Sequence, residues 1–189
     1  MLLLIVGLVL FLGVHSVSIV SRSGRDQWVQ RLGEGPWKGL YSLAALAGFV
    51  LIIYGYAQAR ETPVLLYTLP TGFRHLAALL MLPVFVLLAA AYLPGRIQRA
   101  TKHPMLLAVK FWALAHLLAN GTLADVLLFG GFLAWAVADR ISIKRRGVAA
   151  PQARGSTLND VIAVAVGLGV YVLFIVWAHA WLFGVRPFG

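Results

Sequence analysis

The chain contains no cysteine. That one absence excludes disulfides, thiolate zinc sites, iron–sulfur clusters and haem attached covalently through C-x-x-C-H. Any metal must rest on histidine, methionine or carboxylate. Acidic residues are nearly as scarce, with 6 Asp and Glu in 189 residues against 16 Lys and Arg. Asp26, Glu34, Glu61, Asp125, Asp139 and Asp160 all fall at or near the ends of apolar segments. No paired carboxylates, Gly-rich phosphate loop or Ser-His-Asp set can be assembled, so hydrolytic chemistry has no evident team. Charged residues of both signs make up only 12% of the chain, too few to cover the surface of a soluble domain.

What is present is apolar. Hydrophobic residues are 61% of the chain and the mean hydropathy is +0.87, values of a polytopic membrane protein whose solvent is the lipid bilayer. In such a chain a basic excess reads as a topology signal rather than nucleic-acid affinity, and no soluble module is large enough to bind nucleic acid. A helix needs about 17 to 25 apolar residues to cross the hydrocarbon core. Six segments approach that length: 2–20, 37–58, 73–93, 104–120, 122–139 and 158–183. The expected fold is therefore all-α, a polytopic transmembrane bundle of about six helices. The first segment lacks a basic leader and is read as a retained helix. The longest connections, 21–36 and 140–157, are polar, and the second is rich in Gly, Pro, Ala and Arg and expected to be irregular. Ser156, Thr157 and Asn159 are candidate N-caps for the sixth helix.

Basic residues set the orientation. Arg22, Arg25, Arg31 and Lys38 lie in the first connection, Arg96, Arg99 and Lys102 in the third, and Arg140, Lys144, Arg145, Arg146 and Arg154 in the fifth. The opposite side has only Arg60, Arg74 and Arg186. By the positive-inside rule the three basic connections are cytoplasmic and both termini are not. The fourth connection is tight and nearly chargeless, which predicts an antiparallel hairpin of segments four and five, with Gly121 suited to end the first of them. Trp28, Trp37, Trp177 and Trp181 lie near segment boundaries, as interfacial anchors do.

Chemistry, if any, falls to the histidines: His15, His75, His103, His116 and His179. An imidazole in hydrocarbon is costly without a partner, which makes an intramembrane histidine a functional hypothesis. His15 and His116 are the deepest. One turn from His116 lie Trp112, Ala113, Ala119 and Asn120, a stripe of small side chains and an amide with room for something flat. The plainer reading makes His116 and Asn120 polar glue between helices. Two imidazoles on separate helices are what non-covalent b-type haem needs. His75 and His179 sit toward the non-cytoplasmic ends of their segments; either could partner His116, although both read first as interfacial histidines. His103, between Lys102 and Pro104, opens the fourth segment, where proline suits the first helical turn. Lys110 can snorkel toward the cytoplasm, pair with Asp139 or Asp160, or hold an anionic group.

Taken together, "FLGVHS" in the first segment, "RLGEGPWKGLYSLAALAGFVLIIYGY" at 31–56 and "KHPMLLAVKFWALAHLLANGTLADVLLFGGFLAWAVADR" at 102–140 resemble the NnrU family of bacterial membrane proteins. The resemblance covers most of residues 1–146, as a five-helix domain, and leaves 147–189 as a linker and an additional transmembrane helix. It implies a multi-pass protein of the bacterial inner membrane linked to denitrification and nitric-oxide metabolism. It also implies kinship with 15-cis-zeta-carotene isomerase, a membrane enzyme that uses b-type haem. Carried over by position, His15 and His116 would be the haem ligands, with His103 near the site or at its edge, and Asn120 and Trp112 supporting His116 or packing on the ring. The candidate functions are then a haem-dependent isomerase-like or redox enzyme with an apolar small-molecule substrate, or a haem-free, non-catalytic membrane factor supporting nitrite and nitric-oxide reduction. A membrane methyltransferase, suggested by His103-Pro104 after a basic residue, ranks last, because the C-terminal segment lacks the acidic and arginine pattern its cofactor would need.

Overall fold

A computed structural model of the chain describes residues 1–147 and 155–188. Its helices run α1 (Leu2–Val20), α2 (Arg22–Leu32), α3 (Glu34–Ala59), α4 (Gly72–Tyr92), α5 (Arg96–Thr101), α6 (Pro104–Ala119), α7 (Leu123–Arg145) and α8 (Thr157–Leu173). A π-helical turn, Phe174–Ala178, joins α8 to α9 (His179–Phe183) without a break. All six apolar segments are helical. Five helical stretches, Leu2–Val20, Glu34–Ala59, Gly72–Tyr92, Leu123–Arg145 and Thr157–Phe183, are long and apolar enough to cross a membrane, while α6, with 16 residues, is shorter. Large apolar side chains such as Val9 (69% exposed), Leu43 (66%) and Val176 (74%) point away from the protein, as lipid-facing residues do.

Three boundaries differ from the sequence reading. Residues 22–32, read as a polar connection, are helical, because the Ser21 hydroxyl accepts from the Gly24 amide at 3.0 Å and Gly33, at φ +86°, ends the helix. With no buried residue, three arginines and a half-exposed Trp28, α2 has the composition of a helix lying in the interface. Residues 96–101 form α5, whose first amides are capped from another helix. The seventh helix runs to Arg145 rather than 139; Lys144 and Arg145 in its last turn complement the negative end of the helix dipole. Of the connection expected to be irregular, 148–154 lie outside the described residues.

The described chain divides into two compact units that interleave along the sequence, Met1–Tyr67 with Thr122–Arg146, and Thr68–Gly121 with Gly147–Gly189. The helices α6 and α7, expected to form a hairpin, thus belong to different units.

In the first unit α1 and α3 run antiparallel and their backbones nearly touch. A methyl group on Gly7 would meet the Ile52 nitrogen at 2.6 Å, and one on Gly48 the Phe11 nitrogen at 2.7 Å. Between lipid-immersed helices there is little hydrophobic drive to associate, so close packing over small residues supplies the attraction instead. The third long helix, α7, packs on α1, with the rings of Phe11 and Phe132 5.6 Å apart. Thr122 and Asp125 form a capping box at its start: the Thr122 hydroxyl accepts from the Asp125 amide at 3.3 Å, and the Asp125 carboxylate accepts from the Thr122 amide at 2.9 Å. Asp125, only 4% exposed, also accepts from the Tyr56 hydroxyl at 2.5 Å. The segment after α3 closes back on this corner, where the Leu123 amide donates to the Val64 carbonyl at 2.8 Å.

In the second unit α4 carries α6 on one side and α8 on another, around a core of Val84, Leu87 and Ala108. Gly167 of α8 lies so close to α4 that a methyl group there would sit 2.5 Å from the Val86 Cα. Asp160, in the first turn of α8, accepts from the backbone amides of Arg96 and Ile97 at 2.9 and 3.0 Å and so caps α5, while the Asn159 side-chain amide donates to the Pro94 carbonyl at 2.8 Å. Ser156 is the N-cap of α8, accepting from the Asn159 amide at 3.3 Å. Farther along, the Tyr171 hydroxyl donates to the Ala78 carbonyl at 2.9 Å. These contacts fix the register of α8 on α4, and with it the position of everything that follows α8.

Candidate functional site

In the second unit the start of α4, the end of α6 and the end of the α8–α9 stretch surround a half-open cavity of about 200 Å³. Ala77, Ala78, Ala115 and Ala119 keep its walls thin, and Met81, Phe85, Phe174 and Ile175 make its body apolar. Two imidazoles, His116 and His179, line it. Their ring centres are 6.5 Å apart and their planes 24° from parallel.

Each ring is held by a backbone carbonyl. His116 Nδ1 lies 2.8 Å from the Trp112 oxygen, one turn back, and His179 Nδ1 lies 2.6 Å from the Val185 oxygen, in the chain beyond α9. A carbonyl oxygen only accepts, so in both rings Nδ1 is the donor. The sequence reason for the second contact is Gly184, whose φ of +70° turns the chain after α9 so that Val185 folds back toward His179. The π-helical turn also matters: the His179 amide donates to the Phe174 carbonyl five residues back, and the extra residue in that turn shifts the face on which His179 emerges.

The other expected site residues are distributed as follows. Asn120 is the C-cap of α6, its backbone and side-chain amides both donating to the His116 carbonyl, at 2.8 and 3.0 Å, and it lines the cavity. Trp112 supports His116 through its carbonyl and packs toward it, with ring centres 5.4 Å apart. His103 is the N-cap of α6, thirteen residues and therefore about 20 Å of helix from His116. His75, exposed in the first turn of α4, stacks on Phe188 at 5.9 Å. Asp160, one of the partners considered for Lys110, has its carboxylate on the α5 amides instead.

His15 belongs to the first unit. It repeats the arrangement of the other two, with Nδ1 2.7 Å from the Phe11 carbonyl oxygen. Aromatic rings enclose it, Phe11 stacked at 4.3 Å, Tyr41 at 5.4 Å and Trp135 perpendicular at 6.0 Å. The Trp135 Nε1 is buried and has no hydrogen-bond acceptor among the described residues. Beside His15 a second cavity, of about 270 Å³, is edged by Arg25 and Lys38. Both cations carry exposed ion pairs, Arg25 with Asp26 at 2.8 Å and Lys38 with Glu34 at 2.7 Å.

The sequence reading singled out His116, Asn120 and Trp112, which the structure brings together, but ranked His179 as interfacial. Arg74, Arg186 and the π-helical turn were passed over as part of any site. A signal for His179 was available in its distance from Gly184, a glycine set to end the helix one turn later; the π-helical shift of register leaves no such trace.

Among the described residues no group of three or more His, Asp or Glu converges as a bare metal site would require. What the second unit does bring together is two histidines with carbonyl-anchored Nδ1 atoms on an apolar, thin-walled cavity. Five helices of this length and apolarity define a multi-pass helical membrane protein. More narrowly, residues 3–187 match the NnrU protein family, and the chain belongs to it. The match includes the C-terminal helix and the turn carrying Val185 and Arg186. No curated protein and no solved structure matches the chain.

Proposed function

We propose that this NnrU-family protein binds a b-type haem in the cavity of the second unit, where His116 and His179 would hold its iron. The observation that carries the reading is the pairing of the two rings. Two imidazoles that share one metal must lie close to each other on facing elements. His116 and His179 are at 6.5 Å and near parallel. Their Nδ1–H groups are already committed to carbonyls, the support that fixes a ligating histidine's tautomer and orientation. A porphyrin is larger than the 200 Å³ enclosed here, so it would extend through the open side of the cavity. When bound, haem supplies an iron centre able to exchange an electron or bind a small ligand if one histidine is displaced. The residues of the chain hold it, fix the ring orientation and keep water from the apolar wall.

His15, in the first unit, is a separate candidate ligand, favoured by one observation of its own. The buried Trp135 N–H beside His15 lacks an acceptor, as it would if a polar group of a ligand normally lay against it. The resemblance to haem-dependent carotenoid isomerase also supports His15. The wider role we propose, in the bacterial inner membrane and in denitrification or nitric-oxide metabolism, rests on family membership. The orientation with both termini outside the cytoplasm rests on the three basic connections.

The test is the absorption spectrum of protein purified in mild detergent after expression with ample haem supply, with a pyridine haemochrome assay for stoichiometry. A b-type spectrum near one haem per chain is the expected result. A colourless protein would leave His116 as polar glue and favour the haem-free membrane factor.

A further inference from the structure

Arg74 and Arg186 both line the cavity that holds His116 and His179, and both are exposed. Three independent observations make them hard to explain as ordinary surface charges. Arg74 stands in the first turn of α4, at the positive end of the helix dipole, with no acid in that turn to offset it. The sole acidic side chain of the second unit is Asp160, nineteen residues before His179 and engaged with the α5 amides. On the side of the membrane where the sequence places only Arg60, Arg74 and Arg186, two of the three are at this one cavity. Arginines in a region depleted of basic residues, uncompensated by any neighbouring acid and set against apolar walls, form a receptor for an anion attached to an apolar body.

We infer that Arg74 and Arg186 bind the carboxylates of an apolar ligand whose body lies in the cavity against Met81, Phe85 and Phe174. This rests on the cavity being a ligand site and deepens that reading, since it assigns the charged end of the ligand. An uncharged polyene would leave both guanidinium groups unpaired. A carboxylate-bearing ring such as protohaem, or a long-chain carboxylate, would pair with them through charge-assisted hydrogen bonds.

The experiment titrates the full chain in detergent with four probes: protohaem, its dimethyl ester, the fluorescent polyene acid cis-parinarate and the methyl ester of that acid. Binding is followed by haem absorbance, parinarate fluorescence and tryptophan quenching. In R74Q/R186Q the free acids should bind about tenfold more weakly, and the esters as they do to the native chain. R74K/R186K, which keeps the charge, should recover part of the loss. Thermal unfolding of each variant confirms that it is folded. Loss confined to protohaem assigns the carboxylates to a haem-like ring, and arginine-dependent binding of parinarate by a chain that binds no protohaem sustains the inference while overturning the haem reading. Equal affinity of the native chain and R74Q/R186Q for both acids, or no binding of either acid to the native chain, would overturn the inference. A normal haem spectrum with unchanged affinity for both acids in R74Q/R186Q would overturn it and leave the reading of His116 and His179 intact.

Discussion

The imidazole rings of His116 and His179 face one cavity with their centres 6.5 Å apart, although the two residues are 63 positions apart in the chain. Nothing local to either helix demands this. It results from the packing of α6 and α8 on α4, and it depends on Gly167 lying against Val86.

That dependence gives the first prediction. Gly167→Leu should push α8 from α4 and separate the two rings, weakening haem retention although it touches neither histidine. Gly169→Leu, where nothing lies within 4 Å, should bind haem normally. Haem content per purified chain, with thermal unfolding as the folding control, measures both.

The packing of α1 on α3 is testable in the same way. Gly7→Ala and Gly48→Ala place a methyl group against backbone and should each destabilise the protein by about 1–3 kcal/mol, the usual range for overpacking a tight contact. Gly13→Ala meets nothing within 4 Å and should be near neutral. Unfolding in detergent at fixed lipid content would report the difference, and equal effects at all three positions would contradict the close approach.

At the start of α7, Asp125 takes three hydrogen bonds, from the Tyr56 hydroxyl at 2.5 Å and from the Thr122 amide and hydroxyl at 2.9 and 2.6 Å. Thr122→Ala should cost about 1 kcal/mol as a lost cap. Tyr56→Phe removes a hydrogen bond to a buried carboxylate and should cost about 1.5–3 kcal/mol. Because both act on one carboxylate, the double variant should depart from additivity by at least about 0.5 kcal/mol. Additive losses would mean that the two residues do not share Asp125.

The proposed orientation is open to reporter fusions. A fusion after Gly147 should report the cytoplasm and one after Gly189 the opposite compartment. The reverse at either position would overturn the arrangement set by the basic connections.

Much of the helical plan was legible because twenty-residue apolar runs have few alternatives in a membrane protein: α1, α4 and the Ser156-capped α8 fall within a residue or so of their expected starts. The Thr122–Asp125 capping box is legible too, as a T-x-x-D signature before an apolar run. Residues 22–32 were misassigned because their mean polarity resembles a loop, and what makes them helical is a capping serine together with an interface for Trp28. For the site, His116, Trp112 and Asn120 followed from one-turn spacing on a single helix. His179 did not, since its approach to His116 is set by the π-helical turn and by the docking of α8, neither of which leaves a periodic trace in sequence.

The most direct test compares the oxidised and dithionite-reduced absorption spectra of the native chain with those of His116→Ala, His179→Ala, His15→Ala and His75→Ala. The account expects a b-type spectrum in the native chain that is lost or shifted in the His116 and His179 variants and retained in those of His15 and His75. Loss with His15→Ala and retention with His179→Ala would contradict it.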